Sequence, residues 1–260
     1  PSPRQSAILV ELAALSRWTV VMSQAARDRL LELYPQIDER TVVTIPHGAA
    51  LPPWPAESDV TRSGLLTWGL IGPGKGIEHV VDAVGLLRQD GVDIAYTVAG
   101  VTHPKVRARD GERYRDGLRE RADALGVGDL VRFDSTYRRP AEMAHFVADA
   151  GIVVLPYDSR EQVTSGVLVD SIAAGRPVIA TRFPHAVEML ASGAGVVVPH
   201  GEPRALAAAV RRLVTDDTAL ADATHAARMI APSLSWPTVA RHYVDLHASG
   251  TRRSAYPRTA

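Results

Sequence analysis

The chain has 260 residues, 46% apolar and 22% charged, an ordinary globular mix and enough for one large domain or one and a half smaller ones. Lys plus Arg number 29 and Asp plus Glu 29, so no net field draws nucleic acid or an anionic membrane, and 5% aromatics argue against a base-stacking single-strand binder. Cysteine is absent, which excludes disulfides and thiolate metal sites, and no apolar run reaches the roughly 18–20 residues of a membrane span.

The chain opens Pro1-Ser2-Pro3-Arg4 without Met or a signal-like core, and is expected to be a fragment. Val20-Val21-Met22 predicts a strand, followed by a helix over 23–34 with Ser23 as its N-cap. A second strand over 41–45 ends at Pro46-His47-Gly48. One strand–helix–strand unit buries too little for a core of its own, so residues 1–50 read as the remnant of a preceding α/β domain. The proline-rich stretch 51–62 reads as a linker.

Strands are then predicted over 65–70, 94–99, 131–134, 152–156, 177–181 and 196–199. Helical patterns fill the gaps at 76–89, 111–126, 141–149, 165–174 and 186–192, and continue over 203–215, 218–230 and 236–248. Short, fully apolar strands joined by helices imply a parallel sheet covered on both faces. The expected fold is a Rossmann-like, doubly wound α/β domain with a six-stranded parallel sheet over 63–235, followed by a C-terminal helix and tail over 236–260. Ligands of such sheets bind at the carboxyl ends of the strands, where the strand order reverses.

Two loops stand out at that edge. Trp68-Gly69-Leu70-Ile71-Gly72-Pro73-Gly74-Lys75-Gly76 joins the first strand of the domain to its first helix. Gly72, Gly74 and Gly76 let the backbone approach a ligand, the helix start offers free N–H groups, and Lys75 adds a positive charge, so a phosphate or diphosphate is the expected guest. The pattern fits G-x-x-x-x-G-K, but Gly76 stands where a P-loop needs the Ser or Thr that holds Mg²⁺. In the second loop, 156–166, the small residues Thr164, Ser165 and Gly166 open a helix and form a second cradle for an anion, with Asp170 one turn further in.

Together these segments resemble the donor-binding, C-terminal half of glycosyltransferase family 4, retaining enzymes of the GT-B fold. The resemblance runs over about 19–248 and includes the late turn Gly193-Ala194-Gly195-Val196-Val197-Val198-Pro199. It implies that Lys75 holds the donor diphosphate and neutralises the leaving group. Backbone N–H groups near Ser165 and Gly166 would share the diphosphate. Anchored on Gly175 and Pro177, the second signature glutamate falls on Asp170, which would bind the ribose, and the first on Gln162, which would face the donor sugar. Glu161 lies next to it. The base pocket would fall on 100–103, including His103, and around 135–138, including Tyr137 and Arg138. The chain departs from the family at three places: Gln162 and Asp170 replace glutamates, and Leu70 replaces an arginine, leaving Lys75, helix dipoles and Arg160 to meet the diphosphate.

The expected activity is therefore retaining transfer of a hexose from a UDP- or GDP-sugar to an acceptor hydroxyl, in the cytoplasm, with Lys75 and Gln162 at the reacting centre. No metal or other cofactor is expected, since the nine histidines show no tight ligand spacing. Membrane contact would come through the N-terminal domain. The alternatives are a P-loop-type NTPase or phosphotransferase and a non-catalytic nucleotide-sugar-binding module. His47 reads equally as a cleft or a surface residue, and the four tryptophans as packing residues. The charged stretch 107–121, with Glu112–Arg115 and Asp116–Arg119 pairs, reads as a solvated helix face.

Overall fold

The computed structural model describes residues 2–54 and 64–253, with side chains described through residue 249. Most of the expected linker, 55–62, and the tail beyond 253 lie outside the described residues. The N-terminal unit holds α1 (Pro3–Leu15), β1 (Thr19–Val21), α2 (Gln24–Leu33) and β2 (Val42–Thr44), with β1 and β2 parallel. The sequence reading had no helix at 3–15. Its signal is nonetheless local: Gln5 N–H donates to Ser2 Oγ at 3.3 Å and Ser2 N–H to Gln5 Oε1 at 2.7 Å, a capping box with Pro3 in the first turn.

The larger unit runs β3 (Leu65–Trp68), α3 (Ile77–Gln89), β4 (Tyr96–Ala99), α4 (Pro104–Asp110), α5 (Arg113–Ala124), β5 (Val131–Asp134), α6 (Pro140–Ala148), β6 (Ile152–Leu155), α7 (Gly166–Ala173), β7 (Val178–Thr181), α8 (Pro184–Leu190), β8 (Gly195–Val198), α9 (Pro203–Thr215), α10 (Asp217–Ile230) and α11 (Trp236–Arg253). All six strands from β3 on are parallel, in the order β5-β4-β3-β6-β7-β8. The chain winds outward one way from β3 and the other way from β6. The reversal therefore lies between these two strands, and the two loops singled out in the sequence leave the sheet there.

Alternation along each strand builds two cores. Leu65, Ile152, Val154 and Ile179 face one side, with α3, α5 and α9. Leu66, Val153, Leu155, Val178 and Ala180 face the other, with α7 and α8. Residues buried on both faces explain why these strands read as continuous apolar runs. Helix α4 was not foreseen, although Pro104 after His103 is a helix-start signal.

Two sets of contacts fix the N-terminal unit against the larger one. Glu188 of α8 accepts the N–H groups of Gln24 and Ala25 at 2.9 Å each, placing a carboxylate at the positive end of α2. Ser23 caps α2 through Ala26 N–H at 2.9 Å and donates its hydroxyl to the Val163 carbonyl at 2.5 Å. In the second set, Ala49 N–H donates to Leu234 O at 2.7 Å and Trp236 N–H to Ala49 O at 3.1 Å. Among the described residues no helix is long and apolar enough to cross a membrane.

Candidate functional site

The loop after β3 is pressed onto the loop after β6. Gly76 has φ +64, and a Cβ there would lie 1.9 Å from the Pro156 carbonyl oxygen, so only glycine lets the strands' two exits approach this closely. Asp158 N–H donates to Gly74 O at 3.1 Å. Gly72 packs against Val106 of α4, and its carbonyl accepts from Lys75 N–H at 3.2 Å. Gly76 gives α3 no side-chain cap, so the first turn of that helix keeps N–H groups unspent. The Lys75 ammonium lies 4.4 Å above the Tyr157 ring, and burial pushes its pKa down from the ordinary value. Leu70 is exposed beside it.

At the start of α7 the structure changes the expected picture. Ser165 N–H, assigned to an anion, already donates to His185 Nδ1 at 2.9 Å, and Leu168 N–H donates to Ser165 Oγ at 3.3 Å. Among the described residues, the Gly166 and Val167 N–H groups remain without an acceptor. His185 is thus neutral, with its proton on Nε2, and burial holds its pKa below the ordinary value. Gln162 does not point into an open sugar site: its amide donates to the Thr164 carbonyl at 3.2 Å, within its own loop. Neighbouring Glu161 is drawn outward to Arg29 of α2 at 2.9 Å. Arg160 is exposed.

Asp170 keeps its expected place. One turn into α7, it lines a cleft of about 490 Å³ together with His47, Trp68, Arg138, Met143 and Trp236. Burial raises its carboxyl to about 6, against the pull of His47. His47 comes from the N-terminal unit, lies against Gly166, and tilts against the Trp236 ring at 5.5 Å between centroids. Its Nδ1 is buried without a hydrogen-bond partner. Of the two readings of His47, cleft lining is correct. Trp68 and Trp236, read as packing residues, also line the cleft.

The expected base pocket divides. Arg138 and Tyr137 are on the cleft wall. Arg138 lies 2.6 Å from Asp134, holding that carboxyl well below the usual range, and its guanidinium rests 3.8 Å from the Phe146 centroid. Tyr137 is 83% exposed. His103, by contrast, is turned to its own helix: Nδ1 accepts from Lys105 N–H at 3.2 Å as the cap of α4, and the cleft lining does not include it. The charged stretch is only partly a solvated face. Asp116 and Arg119 pair at 2.8 Å in the open, but Arg115 is 5% exposed and donates to the Gly100 carbonyl, buttressing the end of β4.

The geometry is that of a doubly wound domain with two helix starts and a lysine at the strand-order reversal, and a largely apolar cleft carrying Asp170 and Arg138 alongside. The family model for group 1 glycosyl transferases matches residues 62–216. The chain belongs to the group 1 glycosyltransferases. A D-inositol 3-phosphate glycosyltransferase of Corynebacterium urealyticum is 32% identical over 133 residues, 51% of this chain and 31% of that protein. Another, from Catenulispora acidiphila, is 29% identical over 238 residues, 86% of this chain and 55% of that protein. The matches thus span 31% to 55% of these relatives' length. Among solved structures, Anabaena HepE in complex with UDP superposes with TM-score 0.80 at 17% identity, covering 96% of this chain and 68% of HepE. Sucrose-phosphate synthase from Thermosynechococcus elongatus gives 0.75 at 18% identity, covering 96% of this chain and 62% of the synthase. The group 1 glycosyltransferase fold here is therefore the GT-B fold of those enzymes.

Proposed function

We propose that this chain forms the nucleotide-sugar donor site of a retaining glycosyltransferase, with no metal taking part. The observation that carries the reading is the pairing, at the strand-order reversal, of Lys75 and the uncapped α3 start with the open N–H groups of Gly166 and Val167. The Asp170 cleft lies on the α7 side. Negative charge grows on the diphosphate as the glycosidic bond breaks, and preorganised donors that need not reorient stabilise it. Asp170, Arg138 and the cleft wall suit the ribose and base. Gln162 acts on the donor sugar only after releasing the Thr164 carbonyl, or through its backbone. HepE has been crystallised with UDP and with UDP-glucose, which favours a UDP-hexose as donor over a GDP-hexose. The name shared by the curated relatives makes D-inositol 3-phosphate the first acceptor to try.

The test is a thermal-denaturation panel with UDP, GDP, ADP and Mg²⁺-ATP on the wild-type chain and Lys75→Ala. At about 100 times its dissociation constant a ligand adds roughly 2.7 kcal/mol. Metal-independent stabilisation by UDP, lost in Lys75→Ala, is the expected result. Stabilisation by Mg²⁺-ATP alone, or by none of the four, overturns the donor-site reading.

A further inference from the structure

Lys75 makes no ion pair with a carboxylate among the described residues. What holds its ammonium is the face of Tyr157. That ring is 2% exposed and stacks on Phe183, with centroids 5.5 Å apart and planes 23° from parallel. Its backbone is held as firmly: the Tyr157 carbonyl accepts from Thr181 Oγ1 at 2.6 Å and lies 2.9 Å from His200 Nδ1. The hydroxyl lies near Ser165, the cap of α7, without closing a well-formed hydrogen bond. Tyr157 therefore stands between the lysine loop and the start of α7, anchored by Thr181 of β7 and by His200 in the turn after β8.

We propose that Tyr157 is the positioning residue of the donor site, holding the Lys75 ammonium over its ring so that the full positive charge stays available to the diphosphate. The inference rests on the reading of Lys75 as the diphosphate ligand. A carboxylate partner would hold the ammonium equally well but would neutralise it and repel the incoming phosphates. An aromatic face attracts a cation through its quadrupole and carries no net charge, so it orients without competing. Burial of Lys75 lowers its pKa, and the ring face is the contact that opposes this loss.

The test measures UDP affinity by calorimetry on the 260-residue chain carrying, at position 157, Tyr, Phe, and then mono-, di- and trifluorophenylalanine. Fluorination drains the ring quadrupole while keeping its shape, so folding is preserved and a purely structural role predicts a flat series. Tyr157→Phe is expected to bind within about twofold of wild type, with affinity falling stepwise to about tenfold weaker at three fluorines. The pH at which UDP binding is lost on the alkaline side should move to lower pH along the same series. A flat series, with Lys75→Ala still weakening UDP, overturns the role of Tyr157 alone. Wild-type affinity in Lys75→Ala overturns the diphosphate reading and the inference with it.

Discussion

The two loops at the strand-order reversal reach the same end by opposite means. In the loop after β3 the features that suit an anion belong to the loop itself: glycines, an uncapped helix start and one lysine. In the loop after β6 they are decided by residues far away in the chain. His185, 20 positions on, takes the Ser165 N–H; Ser23, 140 positions back, holds the Val163 carbonyl. Arg29 draws Glu161 outward, and His47 lies over Gly166. A backbone donor already satisfied within the fold is not available to a ligand, so the second loop offers fewer N–H groups than its sequence promises.

The largest effect that sharpens this contrast is expected from Gly76→Ala. A left-handed φ of +64 and a Cβ 1.9 Å from Pro156 O should cost roughly 3 kcal/mol or more in urea denaturation. The same change at Gly166, where the nearest atom is His47 Nε2 at 3.4 Å, should be nearly neutral. Equal costs at the two sites would break the comparison.

His185→Ala comes next. It leaves the Ser165 N–H unpaired near the protein interior, for about 2 kcal/mol. The folded pKa of His185 is depressed. Its contribution is therefore full above the ordinary histidine value of about 6.5 and lost as pH falls below it. Stability measured between pH 7 and 5 should fall less in the variant than in wild type. Parallel profiles would show that His185 is not held neutral by the fold.

Asp170→Asn should give a change of opposite sign. The folded pKa of about 6 is raised from 3.8 by burial, so the fold binds a proton more readily than the unfolded chain. Wild-type stability then decreases as pH rises from about 4 to about 6 and levels off above. At pH 8 the asparagine variant should be more stable by roughly 2–3 kcal/mol, with little difference at pH 3.5, and UDP should bind it more weakly. A variant less stable at pH 8 would mean that the carboxylate has a favourable partner in the cleft.

Much of the fold was legible because strands buried on both faces show as apolar runs of β-branched residues, and helix starts show as Ser23, Ser165 and Pro203. The helices at 3–15 and 104–110 carried equally local signals, a capping box at Ser2 and Gln5 and a proline after His103. The first precedes any strand, and the second is a short extra helix in a crossover from β4 to β5 already filled by α5, so the simple strand–helix–strand rhythm by which the other elements were found passes over both. In the candidate site, Lys75, Gly76 and Asp170 were legible from spacing. Tyr157, His185 and the cleft-facing roles of His47, Trp68 and Trp236 were not, because aromatic rings and histidines have no local pattern that separates a packing role from a wall of a cleft.

By itself, the sequence determined the doubly wound order of elements, the two loops that share one edge of the sheet, and the chemistry concentrated in the first of them. These follow from backbone preferences and burial periodicity, which act over a few residues. Only the tertiary structure decided which donors remain free, since His185 reaches the start of α7 through the pairing of β6 with β7. It also decided what holds Lys75, because the ring beneath it belongs to a different loop, anchored by strand β7 and by the turn after β8. Hydrogen bonds and ring contacts saturate within a few ångströms, and only the packed fold says which groups come that close.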